Sequence, residues 1–139
     1  MPTKLTQHEL RKIAIQFLYS YSVRPDQAED ELSKFILEDK FLSENNKKYL
    51  DAMIDGVRTN QNELDAEISK YLISTWSMDR LTSIDRAILE LASYEIIYSD
   101  LPPVIAVNEA VNLTKDFSDE AASKLVNGIL THLIPKDEK

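Results

Sequence analysis

Residues 6–21 read Thr6-Gln7-His8-Glu9-Leu10-Arg11-Lys12-Ile13-Ala14-Ile15-Gln16-Phe17-Leu18-Tyr19-Ser20-Tyr21. Leu10, Ile13, Ala14, Phe17, Leu18 and Tyr21 recur at helical spacing and form one apolar stripe. Thr6 and Glu9 have the capping-box arrangement, a hydroxyl at the cap and a carboxylate on the first turn. Arg11, Lys12 and Gln16 fall off the stripe, toward solvent. The stretch is therefore an amphipathic helix with a marked start.

The same pattern repeats along the chain. Arg24-Pro25-Asp26 interrupts it, and Pro25 suits the first turn of a second helix carrying Ala28, Leu32, Phe35 and Ile36. Ser43 can cap a third helix with Tyr49, Leu50, Met53, Ile54 and Val57 inward. Gly56 within it weakens the helix and points to a close neighbour. Thr59 to Asn62 breaks or bends the pattern, which Leu64, Ile68, Tyr71 and Leu72 resume. Ser74 to Arg80 reads as a loop pinned by Trp76. Ser83 can cap a fifth helix, apolar nearly all round and so expected to be the most buried. Asp100-Leu101-Pro102-Pro103 stops it. A sixth helix is expected from about Val104 to Phe117. Ser118 can cap a seventh, with Ala122, Leu125, Val126, Ile129, Leu130 and Leu133 on one side. The expectation is an all-α fold of about seven helices, one domain over residues 1–139.

Composition agrees. Only 2 Gly and 5 Pro occur in 139 residues, which favours long helices and short loops over a turn-rich β-fold. There is no cysteine, so disulfides, thiolate catalysis and cysteine zinc sites are excluded. No apolar run approaches the roughly 20 residues that cross a bilayer, and Met1 to Thr6 has no signal-peptide pattern. The expected compartment is the cytoplasm. The net charge of −8 points away from strong phosphate binding, although a local basic patch can sit on an acidic chain.

Catalytic and cofactor signatures are absent from the sequence. Gly56 and Gly128 lie in separate helical patterns and cannot form a phosphate-cradling loop. His8 and His132 stand near opposite ends, whereas a metal site needs three or four converging ligands. Both are expected at exposed helix positions. No serine sits in a strained nucleophile turn. Asp79, Arg80, Asp85 and Arg86 are the densest charge cluster. They read as ion pairs and helix-start carboxylates rather than as an acid–base pair, because no base, cofactor loop or metal accompanies them. The chain is expected to be no enzyme and to use no cofactor or metal.

Several segments, taken in order, carry a family resemblance. Arg11-Lys12-Ile13-Ala14-Ile15-Gln16-Phe17-Leu18-Tyr19 resembles the opening of NusB-type proteins. Trp76 to Leu81 followed by Asp85-Arg86-Ala87-Ile88-Leu89 resembles their central signature. Tyr94-Glu95 precedes a proline turn. Val107-Asn108-Glu109-Ala110-Val111-Asn112-Leu113-Thr114-Lys115 resembles their Asn-Glu-Ala helix, and Lys124 to Leu130 their last helix. Together these cover nearly the whole chain.

The resemblance implies two helical subdomains and a role in antitermination during ribosomal RNA transcription. It implies three partners: boxA RNA, the small-subunit ribosomal protein NusE, and the transcription elongation complex. Carried over by position, Arg11 and Lys124 match basic RNA-binding positions, with Lys4 and Lys12 as neighbours. Gln7, His8 and Glu9 stand where the family's arm is usually arginine. Leu125 stands where many members have a base-stacking Phe, and Ala121 where some have Asp. Tyr19, Tyr71 and Asp85 match the NusE-facing side. Taken alone, Arg11 and Lys12 read as solvated charges, Tyr19 and Tyr71 as packing, Asn108 and Glu109 as a hydrogen-bonded pair, and Asn127-Gly128 as a close helix contact. Two rival readings stand beside the first. One is a protein-only module that binds NusE with little RNA affinity. The other is an RNA methyltransferase, because NusB-like domains also occur fused to such enzymes, but the chain is too short for a cofactor-binding α/β domain.

Overall fold

The computed structural model describes residues 5–38, 42–72 and 81–135. Lys4, Trp76, Asp79 and Arg80 lie outside the described residues, so the loop pinned by Trp76 and the first half of the charge cluster do too. Seven α-helices and no strand occur among the described residues: α1 Gln7–Val23, α2 Pro25–Glu38, α3 Glu44–Thr59, α4 Gln61–Ser69, α5 Ser83–Tyr98, α6 Pro103–Phe117 and α7 Glu120–Leu133. The chain divides into two compact units between Gly56 and Val57.

In the first unit α1 packs against α2. The capping box forms as the sequence predicts: Glu9 N–H donates to Thr6 Oγ1 at 3.1 Å, and Thr6 N–H donates to Glu9 Oε1 at 3.0 Å. Leu10, Ala14, Ile15 and Leu18 of α1 and Ala28 and Leu32 of α2 are buried. Phe17 and Phe35 meet as tilted rings, centroids 5.5 Å apart. α2 begins at Pro25, whose missing N–H removes nothing at a first helical position. Ser43 does cap α3, accepting from Asn46 N–H at 3.1 Å.

The second unit is built around α5, which packs on α4, α6 and α7. Ala87, Ile88, Leu89, Leu91, Ala92 and Ile96 of α5 are buried. α6 and α7 form a helical hairpin through Ser118 and Asp119, and contribute Ala106, Val107, Ala110, Leu113, Val126, Ile129 and Leu130 to the core. Two caps lie one residue from their expected positions. Thr82, not Ser83, caps α5 by accepting from Asp85 N–H at 3.1 Å. Asp119, not Ser118, caps α7 by accepting from Ala122 N–H at 2.8 Å. α6 starts at Pro103, one residue before expectation.

Gly128 differs from its sequence reading. A Cβ there would meet nothing within 4 Å, and the residue is exposed, so it is not a close packing point.

Candidate functional site

Arg11 departs most from expectation. It is 2% exposed, on the buried face of α1 beside Leu10, Ala14 and Ile15. Its Nη2 donates to Tyr49 Oη of α3 at 3.1 Å. A buried guanidinium must be hydrogen-bonded, because stripping its water without a replacement is expensive. The expectation that Arg11 faces solvent is therefore corrected: it ties α1 to α3. Ile15, one turn on, was the sequence signal for this wider buried face. Lys12 is half-buried and has an interaction of its own within the chain. Tyr19 is 41% exposed on the same helix.

The remaining candidates lie in the second unit. Tyr71, 36% exposed, stacks flat on exposed His132 of α7, with centroids 4.8 Å apart and planes within 4°. His132 is thus at the exposed position expected, whereas His8 is half-buried. Asp85 is buried in the first turn of α5, and its Oδ1 has no hydrogen-bond partner. It lines a cleft of about 370 Å³ with Leu81, Thr82, Asp119, Ala121 and Leu125. Leu125 therefore does not stand free as a platform: it is half-buried and forms a wall of this cleft. Lys124, the next-door residue, is exposed and turns to the other flank of α7. There it lines a groove of about 600 Å³ with Asn108, Asn112 and Lys115 of α6 and Ser123 and Asn127 of α7.

A charged cluster that sequence spacing shows only in part joins α4 and α5. Arg86 Nη2 pairs with Asp65 Oδ2 of α4 at 2.6 Å, and Arg86 Nε lies 3.7 Å from Glu90 Oε2. Gln61 Nε2 donates to Glu90 Oε2 at 3.2 Å. Glu90 is 4% exposed. Burial, with the Asp65 carboxylate beside it, pushes the Glu90 carboxyl up to about 8. Asp65 Oδ1 is buried without a hydrogen-bond partner, so a proton carried by Glu90 is the donor that this oxygen would take. Arg86 thus forms the ion pair expected of its cluster, but with Asp65 of α4 and with Glu90 one turn on in α5.

No group of three or more His, Asp or Glu among the described residues could hold a metal ion. No described helix is long and apolar enough to cross a membrane.

The surfaces available are an exposed Tyr19, a Tyr–His stack, an acidic cleft and an amide- and lysine-lined groove. These are features of an all-helical interaction protein. Residues 8–135 match the model of the NusB family. The transcription antitermination protein NusB of Ligilactobacillus salivarius is 43% identical over 130 residues, covering 94% of this chain and 98% of that one. The solved NusB of T. maritima superposes with a TM-score of 0.83 at 28% identity, covering 98% of both chains. A NusB crystallised with the antitermination factor NusE and double-stranded RNA superposes with a TM-score of 0.78 at 26% identity, covering 93% of this chain and 97% of that one. The chain belongs to the NusB family of transcription antitermination factors.

Proposed function

We propose that this chain binds boxA RNA together with the ribosomal protein NusE, and that the assembly acts on the elongation complex during ribosomal RNA transcription. The observation that carries this reading is the near full-length likeness to the NusB crystallised with NusE and RNA. The chain works as one NusB-like domain in the cytoplasm and catalyses nothing. Tyr19 and Tyr71 serve NusE binding, since an exposed Tyr offers large apolar area with a polar tip, the kind of side chain enriched in interfaces, while Asp85, buried, takes part only through the cleft that it lines. Lys4, Lys12 and Lys124 serve RNA. Arg11 fixes α1, the helix that carries Lys12, on α3, and its guanidinium donates to Tyr49.

A titration of labelled boxA RNA, with and without NusE at two salt concentrations, tests the reading. Tighter binding with NusE, and preference for boxA over a scrambled RNA, are expected. A protein-only adaptor is the second reading. It is favoured by the burial of Arg11, by leucine at position 125 and by the net charge of −8. Binding of NusE with no boxA preference would select it.

A further inference from the structure

The two flanks of α7 differ in chemistry. The cleft on the Leu125 side carries carboxylates, Asp85 and Asp119, and no cation. The groove on the Lys124 side carries Lys115 and Lys124, three carboxamides (Asn108, Asn112 and Asn127), and Glu120 at one end. Glu120 is in the first turn of α7, where the helix dipole favours a carboxylate.

On a chain of net charge −8, a groove whose lining has more lysine than acid is a departure. The side chains of Asn108, Asn112, Asn127, Lys115 and Lys124 are exposed and make no hydrogen bond or ion pair among the described residues. Asn108, Asn112 and Lys115 lie one turn apart on α6, a row of about 10 Å at 1.5 Å per residue. Lys124 and Asn127 form the facing row on α7.

We propose that this α6–α7 groove is a contact track for single-stranded RNA, with Lys115 and Lys124 on phosphates and the carboxamides on base edges. The proposal rests on the RNA-binding reading above and deepens it by naming the surface. Lysine ammoniums neutralise phosphate without regard to sequence. A carboxamide carries a donor and an acceptor side by side, which matches base edges, adenine's in particular. Unpaired strands expose those edges in full, whereas an RNA duplex uses its Watson–Crick edges in pairing and hides the others in a deep, narrow major groove. No aromatic side chain lines the groove, so recognition there is by hydrogen bonds and charge rather than by stacking.

The test uses the full chain with NusE and a fluorescent boxA RNA, comparing wild type with Lys115→Glu, Lys115→Ala, Asn112→Ala and Lys12→Ala. Lys115 and Asn112 are exposed, and circular dichroism checks that each variant keeps its helices. Lys115→Ala is expected to weaken binding about threefold to tenfold and to lower the salt slope by about one. Lys115→Glu should weaken it further, and Asn112→Ala should reduce the preference over scrambled RNA. A 4-thiouridine RNA should crosslink to the segment Asn108 to Lys115. If the Lys115 and Asn112 variants bind like wild type while Lys12→Ala binds less, the groove is overturned and the RNA reading stands. If the wild-type pair binds no RNA above the scrambled control, both are overturned.

Discussion

Replacing Glu90 by glutamine should stabilise this protein, and more so as pH rises. The folded carboxyl ionises only at about 8, far above its ordinary 4.5, because burial and the Asp65 carboxylate both oppose its charge. The unfolded chain releases that proton near 4.5. A raised folded value means that the favourable contribution is fully present below about 4.5 and is lost as pH climbs toward 8. Within that window each pH unit costs at most about 1.4 kcal/mol. The ceiling at pH 7 is therefore on the order of 3 kcal/mol. Glutamine keeps the acceptor that Gln61 uses and brings an N–H₂ that can donate to Asp65, where wild type needs a proton. Urea denaturation of wild type and Glu90→Gln at pH 5.5, 7 and 8.5 measures the difference. The variant should gain about 1–3 kcal/mol at the upper end and little at the lower. A wild type that is as stable as the variant at pH 8.5, or a gap that ignores pH, refutes the reasoning.

Other outcomes follow from the packing. Leu91→Ala, at a position 1% exposed in the centre of α5, should cost about 2–5 kcal/mol in the same denaturation assay, the usual range for truncating a core leucine. Tyr49→Phe removes the acceptor of the Arg11 guanidinium and should cost about 1.5 kcal/mol, the low end for a hydrogen bond to a charged group because Tyr49 is only half-buried. Leu125→Phe should be tolerated, since the cleft beside it has about 370 Å³ of space. It should leave boxA binding unchanged by fluorescence anisotropy with NusE present, because position 125 walls the acidic cleft on the flank of α7 away from Lys124.

The helices were legible because amphipathic spacing and strong punctuation agreed. Thr6 with Glu9, Pro25 after Arg24, and Pro102-Pro103 each marked an end that the structure keeps. Caps slipped by one where two good capping residues were adjacent, Thr82 beside Ser83 and Ser118 beside Asp119, because local chemistry ranks such pairs nearly equal. Arg11 is not legible for another reason: a cation defaults to solvent, and its burial depends on partners distant in the chain, Tyr49 among them. The Asp65–Arg86 pair and the Tyr71–His132 stack join residues far apart in the chain, so no local pattern announces them, whereas the Arg86–Glu90 contact is at ordinary i,i+4 helical spacing. The sorting of Lys124 and Leu125 to opposite flanks of α7 follows from a helix turning about 100° per residue. It was available from the sequence once the hairpin was granted.

Gly128 leaves room to strengthen α7. A glycine inside a helix weakens it by about 1 kcal/mol relative to alanine, and a Cβ at this position would meet nothing within 4 Å. Ile129 and Leu130 beside it are fully buried, so this turn is held by its neighbours and position 128 itself contributes no contact. Gly128→Ala should therefore raise stability by about 1 kcal/mol in urea denaturation without disturbing the core.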